Sequence, residues 1–200
     1  ELKKTAQKLT AARKKTAGLL KETIEKELKD LGIEHVAFEA RMALTDFHAA
    51  GQDHVVFYIS PNAGEDLKPL SEIVSSGEAA RLMLALKKAL IKVDSVPVLI
   101  FDEIDAQIGG RLGTITGKKL KELSRTRQVI LITHLPQIAS FADTHFKVVK
   151  KVTAGRTITT VNPLNKEERV KELAEMMSGK SQSDIALSHA ETLLADAKKT

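Results

Sequence analysis

The chain has 200 residues, of which 42% are hydrophobic, enough for one sizeable core or for one core with an appendage. Its 31 basic and 26 acidic residues leave a net charge of +5, which permits a nucleic-acid partner without requiring one. The chain has no Cys, so disulfide frameworks and thiolate metal sites are excluded. The absence of Cys is compatible with a reducing compartment, so we expect a cytoplasmic protein. No apolar run approaches the roughly 18 residues of a membrane span, so we expect no membrane partner.

The first 31 residues predict one long helix with a narrow apolar stripe, because apolar or small residues recur at steps of three and four from Leu2 to Leu31. Two interpretations stay open, an ordinary surface helix or the end of a coiled-coil arm. We expect an arm over residues 1–32 and a domain over residues 33–200. The stripe should then face an antiparallel partner helix that the chain lacks, and the lysines of the first half should form a solvated face. The stripe residues expected to contact that helix are Leu9, Leu20, Ile24 and Leu28.

Two strands and a helix are predicted next. The segments "HVAFEARMAL" and "HVVFYIS" are rich in β-branched and aromatic residues, with a turn expected at Gly51 and Gln52. Residues 60–76 have little pattern and predict a loop. The segment "GEAARLMLALKKALIK" has apolar residues around most of its circumference, which indicates a buried helix.

The second half of the chain predicts a strand over residues 97–101, a helix within residues 113–125 and the strand "QVILIT". Strand, helix, strand indicates a parallel pair with a right-handed crossover. A hairpin should follow around Ala154 and Gly155. Two helices close the chain, the first with a capping box of Asn165 and Glu168, the second behind Ser183.

Polar side chains follow both strands of the predicted parallel pair, Asp102 and Glu103 after the first and His134 after the second. The carboxyl ends of parallel strands share one edge of a sheet, where ligands bind. Asp102 suits a Mg²⁺ ion held through water, Glu103 can polarise an attacking water, and a neutral His134 can contact a γ-phosphate. A charged strand end and a helix-capping histidine remain the structural alternatives.

A third candidate is the segment Ser75 to Glu78, "SSGE", which precedes the long apolar helix. Free backbone amides at the positive end of a helix suit a phosphate. A simple capping box of Ser75 and Glu78 explains the same residues. A complete phosphate loop is missing, since "GTITGKK" at residues 113–119 departs from G-x-x-x-x-G-K-[ST] at two positions.

In this order the motifs resemble those of ABC-type ATPase heads: "SSGE" the signature motif, "VLIFDE" the Walker B strand, Asp105 the D-loop and His134 the switch histidine. The segments "FDEIDAQIGG", "RQVILITHLPQIASFADTHFKV" and "EERVKELAEMMSG" are similar to the C-terminal part of the RecN family, bacterial SMC-like proteins that act at DNA double-strand breaks. The resemblance implies an α/β fold, the C-terminal lobe of an ABC/SMC-type ATPase head with a mainly parallel sheet, plus an N-terminal coiled-coil helix.

The resemblance also implies a role for each matched residue. Asp102 would hold the magnesium water shell, Glu103 would be the catalytic base, and His134 would contact the γ-phosphate. The residues that would act at a dimer interface or on ATP held by a second head are Ser75, Ser76, Gly77, Glu78 and Asp105. The family usually has Gly where this chain has Ser76, which bears on the contact between the two heads.

ATP and Mg²⁺ are the cofactors that the resemblance implies. The implied partners are an N-terminal lobe of the same protein carrying Walker A, a second head in an ATP-driven homodimer, and DNA at double-strand breaks, in a nucleoid-associated cytoplasmic protein. The chain begins at Glu1, which we interpret as a fragment starting on the returning arm and inactive alone. The alternatives are a non-catalytic DNA- or protein-binding module, or a fragment of another ABC or SMC ATPase.

Overall fold

The computed structural model describes residues 1–60, 62, 64–72, 76–153, 155–179 and 183–199, with only the backbone of Ser76 and Thr153. The chain divides into two compact units, residues 1–95 and residues 96–200. None of the helices over these described ranges has the length and hydropathy needed to cross a membrane.

The described residues of the first unit form two helices and a three-stranded antiparallel sheet of order β1-β2-β3. Its elements in chain order are α1 (Leu2–Asp30), β1 (Ala37–His48), β2 (Gly51–Ser60), β3 (Lys68–Pro69), a 3₁₀ turn (Leu70–Glu72) and α2 (Ser76–Ala89). The single long helix predicted at the start of the chain is confirmed, and so is the helix after residue 76.

The second half of α1 lies in the core of this unit. Ile24 and Leu28 are fully buried and pack in a cluster that also contains Phe38, Ile59 and Leu82. The expectation that the apolar stripe faces a helix absent from the chain is therefore wrong at Ile24 and Leu28, which the sheet and α2 cover. The division at residues 32 and 33 stays a prediction.

The β1–β2 hairpin turns two residues earlier than the sequence predicts. Its register runs from Ala37 opposite Ser60 to Leu44 opposite Asp53, then shifts, so that His48 lies opposite Gly51. The turn is therefore at residues 49–50, and the predicted turn at Gly51 and Gln52 is wrong. Gly51 begins β2 with a φ of +109°, and an added Cβ would lie 2.9 Å from Leu9 Cδ2 of α1.

The described residues of the second unit form one parallel pair, one antiparallel hairpin and four helices. Its elements in chain order are β4 (Val98–Phe101), α3 (Gly110–Ser124), β5 (Gln128–Leu131), α4 (Pro136–Ala139), β6 (Phe146–Thr153), β7 (Arg156–Pro163), α5 (Lys166–Ser178) and α6 (Asp184–Lys198). The strand–helix–strand order is confirmed, with α3 beginning three residues before the predicted Gly113.

Strands β4 and β5 pair in parallel, from Val98 opposite Gln128 to Phe101 opposite Leu131. The predicted parallel sheet and the α/β class are confirmed. The β1–β2–β3 sheet and the β6–β7 hairpin are antiparallel, so parallel pairing among the described strands is limited to β4 and β5. Both polar strand ends predicted to share an edge therefore belong to this pair.

The closing helices follow the capping signals. Asn165 accepts a hydrogen bond from the Glu168 backbone at 2.9 Å, and the Glu168 carboxylate accepts one from the Asn165 backbone at 2.8 Å. Ser183 accepts from the Ala186 backbone. Leu173, Ala174, Ala186 and Ala190 join α5 to α6 in one apolar cluster with Ala139 of α4.

Candidate nucleotide site

An exposed acidic turn follows the buried end of β4. Phe101 is buried and accepts a hydrogen bond from the Ile132 backbone at 3.0 Å, whereas Asp102 and Glu103 are exposed. Glu103 has a φ of +57° and Gln107 one of +62°, the two positive values among the described residues other than Gly. Left-handed backbone at such residues is uncommon, costs free energy and concentrates at functional sites.

Asp105 joins this turn to the segment after β5. Its side chain is almost fully buried, and its Oδ2 atom accepts hydrogen bonds from the Thr133 hydroxyl and from the His134 backbone at 2.9 Å. The Thr133 hydroxyl in turn accepts from the Leu135 backbone at 3.0 Å. Because Asp105 follows β4 and Thr133 follows β5, this network fixes the two strand ends to each other.

His134 lies at the surface above this network. Its side chain is 74% exposed, and its Nδ1 atom lies 3.1 Å from Asp105 Oδ2. Since Nδ1 faces the carboxylate, Nε2 is the nitrogen left to face a ligand. The sequence predicted His134 near the acidic pair, and the structure connects it to the acidic turn through Asp105.

The role predicted for Asp105 at a dimer interface stays a prediction. In the structure its carboxylate lies beneath the His134 segment and takes hydrogen bonds from within its own unit. Sequence reasoning missed Thr133 altogether. The signal that could have found it is the hydroxyl residue between an apolar strand and the histidine.

Carboxylates at the end of β4 suit a hard cation such as Mg²⁺. Within the described ranges, however, no cluster of three or more His, Asp or Glu side chains has the geometry to hold a metal ion. A Mg²⁺ ion at Asp102 would therefore take most of its ligands from water and from phosphate oxygens, which is its usual mode beside a nucleotide. The Asp102 carboxylate therefore suits a Mg²⁺ ion whose other ligands are water and phosphate oxygens.

The predicted signature segment lies in the first unit. Ser75 lies outside the described residues, so its capping box with Glu78 is not observed. Ser76 is the first residue of α2, Gly77 is buried and Glu78 is half-buried in the first turn. A helical backbone at Ser76 accommodates any L-residue, so the chain conformation there does not demand Gly.

One face of the parallel pair is apolar and open. Leu99 and Phe101 point into the core, and the alternate side chains of the same sheet are exposed. These exposed residues are Val98, Ile100, Ile130 and Ile132, with Ile100 at 68%. An aliphatic sheet face of this kind beside a polar strand edge is typical of a surface that packs against another layer.

Comparison with solved structures defines the class of this fold. The chain is similar to the Smc head domain with a coiled coil and joint from Pyrococcus yayanosii, with a TM-score of 0.58 and 25% identity over 84% of this chain and 30% of that one. It is also similar to the Pyrococcus furiosus Smc head domain bound to the C-terminal domain of ScpA, with a TM-score of 0.54 and 24% identity over 84% of this chain and 39% of that one. The fold is that of an SMC-type ATPase head.

Sequence comparison then identifies the family, although no protein-family model matches the chain. It is 40% identical over 191 residues to the DNA repair protein RecN of Halalkalibacterium halodurans, covering 93% of this chain, and 42% identical over 196 residues to that of Deinococcus radiodurans, covering 98%. The chain belongs to the RecN family. It spans about a third of the length of these relatives, 34% in both cases.

Proposed function

We propose that this chain is the C-terminal half of the ATP-binding and ATP-hydrolysing head of a RecN-like protein of DNA double-strand break repair. It supplies the signature motif, the Walker B strand, the D-loop and the switch histidine, and Walker A lies elsewhere in the protein. The observation that carries the proposal is the shared carboxyl edge of β4 and β5, where the acidic turn and His134 are linked through Asp105.

Each group at this edge has a defined task in hydrolysis. Glu103 accepts the proton of the water that attacks the γ-phosphorus, and Asp102 holds the magnesium water shell. Bound Mg²⁺ supplies positive charge to the phosphate oxygens. His134 presents Nε2 to the γ-phosphate, because Asp105 holds Nδ1. The exposure of all three side chains leaves them accessible to a ligand.

Walker A is assigned to a separate lobe for two reasons. Residues 113–119, which partly match the phosphate-loop pattern, lie inside α3. The backbone amides there form helical hydrogen bonds and Lys119 is buried, so this segment is unsuited to holding a phosphate. The open aliphatic face of β4 and β5 also matches a surface that an N-terminal lobe would cover. The length of the RecN relatives leaves ample chain for such a lobe.

The signature residues are proposed to act on ATP held by a second head. In this arrangement Ser75, Ser76, Gly77 and Glu78 reach the phosphates of ATP held by the second head, and Asp105 contacts the interface. ATP then drives homodimerisation, and DNA ends are the substrate of the assembled protein in the nucleoid. The similarity to SMC ATPases described for ATP-driven dimerization and DNA-stimulated activation, at a TM-score of 0.50 and 23% identity, concerns the fold alone.

Glu103→Gln in a complete RecN protein carrying this segment tests the catalytic assignment. It removes the base and leaves Asp102 in place, so turnover should fall by about 10²- to 10⁴-fold while ATP binding and the ATP-bound dimer persist. Glu191→Gln, an exposed carboxylate of α6, is the matched control and should retain full turnover. Steady-state hydrolysis by Glu103→Gln within about threefold of wild type would exclude Glu103 as the base.

A mixing experiment tests the half-site. The isolated chain should not hydrolyse ATP and should bind it weakly, because carboxylates repel a triphosphate and no loop holds it. Heads lacking the Walker A lysine, mixed with heads mutated at Ser75, should regain one composite site of two. Hydrolysis by the isolated chain at the rate of a complete head would disprove the assignment. A non-catalytic binding module, the competing interpretation, predicts no recovery on mixing.

A further inference from the structure

The first half of α1 has a one-sided charge. From Leu2 to Lys21 the chain contains seven basic residues and no acidic residue. Beyond Lys21 the helix becomes mixed, and Glu22, Glu25 and Glu27 alternate with its lysines. The function proposed above does not use this basic segment.

The inner side of this half is fixed to the tip of the β1–β2 hairpin. Thr10 donates from its hydroxyl to Asp53 at 2.8 Å, and Arg13 donates to the same carboxylate at 2.9 Å and to the Ala50 carbonyl at 2.6 Å. Leu9 lies against Gly51. Arg13 is thereby used within the unit, and the opposite side of the helix is turned to solvent.

Five lysines of this half are exposed and lie on its outer side or on one flank of it. Lys4, Lys8 and Lys15 follow at intervals of four and seven residues, which places them on one face of a helix of 3.6 residues per turn. Lys3 and Lys14, eleven residues apart, lie on the flank nearer the hairpin, where Lys14 also interacts electrostatically with Asp53. The lysine face, defined as these five residues, extends over about 18 Å at a rise of 1.5 Å per residue. In the described part of the chain none of the five forms an ion pair.

We propose that the lysine face binds the sugar-phosphate backbone of duplex DNA. A duplex presents one negative charge per roughly 1.7 Å, an unbroken field that matches a row of cations without an intervening acid. Lysine is a point charge that contacts phosphate, and the one arginine of the segment points inward, so binding should be independent of sequence. The inference extends the proposed role in DNA repair, but its test needs no nucleotide and is independent of ATP hydrolysis.

Fluorescence anisotropy with a random-sequence 40-base-pair duplex, without nucleotide, measures this binding by the 200-residue chain. The variant with Lys3, Lys4, Lys8, Lys14 and Lys15 all changed to Gln should bind at least tenfold more weakly at low salt. Its slope of log affinity against log salt should be smaller by about 4 to 5, because five lysines are removed and each phosphate contact contributes about 0.9. Gln has a helix propensity close to that of Lys, so circular dichroism should show unchanged helix content.

Lys26→Gln/Lys29→Gln provides the matched control, since both lysines are exposed on the same helix within its mixed-charge half. This double variant should bind the duplex within about threefold of the wild-type affinity, and its salt slope should differ from that of the wild type by less than about 1. The inference is wrong if the wild-type chain does not bind the duplex, or if the five-fold variant binds as the control does. Binding to polyglutamate in preference to the duplex would assign the lysine face to an acidic protein and would likewise overturn the proposal.

Discussion

Gly117 of α3 lies where no side chain fits, and Gly117→Ala should destabilise the second unit. A Cβ added at Gly117 would lie 2.4 Å from Phe141 Cδ2 and 2.9 Å from Cε2 of the same ring. It would also approach the Gln137 backbone carbonyl to 3.2 Å. Ordinary contacts begin near 3.4 Å, so the ring must move by about 1 Å. Phe141 is buried and has little room to do so.

Two opposing effects set the size of the change. Replacing Gly by Ala within a helix favours folding by about 1 kcal/mol. Overpacking a buried contact costs about 1 to 3 kcal/mol, and an overlap of this depth belongs at the upper end. The net loss should be about 1 to 2 kcal/mol, or a Tm lower by about 2 to 8 °C for a chain of this size.

Urea unfolding followed by circular dichroism measures the difference. Gly18→Ala is the matched control, because an added Cβ there meets nothing within 4 Å, and it should raise stability by about 0.5 to 1 kcal/mol. The double variant Gly117→Ala/Phe141→Leu should recover part of the loss, since the overlapping ring is gone. Gly117→Ala as stable as Gly18→Ala would refute the close approach of α3 to Phe141 and to the Gln137 carbonyl of α4.

Three further predictions concern single hydrogen-bonded groups. Asn165→Ala removes the acceptor for the Glu168 backbone and should cost about 1 kcal/mol by urea unfolding, whereas Asn165→Asp should retain most of it. Thr133→Val deprives the buried Asp105 carboxylate of one hydrogen-bond donor and should lower the free energy of unfolding by about 1 to 3 kcal/mol. Thr133→Ser keeps the hydroxyl and should have the wild-type stability. Equal stability of the Val and Ser variants would contradict the network. Hydrogen bonds from Arg13, and secondarily from Thr10, hold the pKa of Asp53 below its ordinary value of 3.8. The ionised carboxylate therefore contributes its full stabilisation above pH 3.8, the pKa of the unfolded chain. That stabilisation is lost as the pH falls through the lower pKa of the folded state. In Asp53→Asn the free energy of unfolding should therefore fall less between pH 6 and pH 2.5 than in the wild type. The same decrease in both proteins would show that the packing of α1 on the hairpin does not depend on the charge of Asp53.

The sequence predicted those elements whose signal is local. The 3.6-residue pattern of α1, the apolar runs of β4 and β5, and the capping box at Asn165 and Glu168 each depend on residues close together in the chain. Their types and approximate bounds are confirmed for that reason. The order of strand, helix and strand then required the carboxyl ends of β4 and β5 to share an edge, and at that edge Asp105 links the acidic turn to the His134 segment.

Features that depend on contacts distant in sequence escaped prediction. Gly51 looked like a turn residue, but its backbone conformation and missing Cβ serve the close approach of Leu9 from α1. Ile24 and Leu28 were predicted to contact another helix of a coiled coil, whereas they pack on the sheet and α2. An apolar stripe indicates that one side of a helix is buried, but it does not identify the surface that covers it. Asp105 and Thr133 are 28 residues apart, and no pattern in the sequence predicts that the Thr133 hydroxyl donates a hydrogen bond to the Asp105 carboxylate.

The burial of Asp105 has a consequence for reading mutations in this family. A carboxylate beneath the His134 segment positions the histidine within one head, so loss of hydrolysis in an Asp105 variant does not by itself indicate a contact between heads. Thr133→Val separates the two roles, because it weakens the network within the head and leaves the Asp105 carboxylate in place. If Asp105 acts only through His134, Thr133→Val in a complete RecN protein should lower kcat while ATP-driven dimerisation persists. If Asp105 also contacts the second head, Asp105→Ala should weaken dimerisation by at least tenfold beyond any effect of Thr133→Val, a difference of about 1.4 kcal/mol that sedimentation with ATP and Glu103→Gln can resolve.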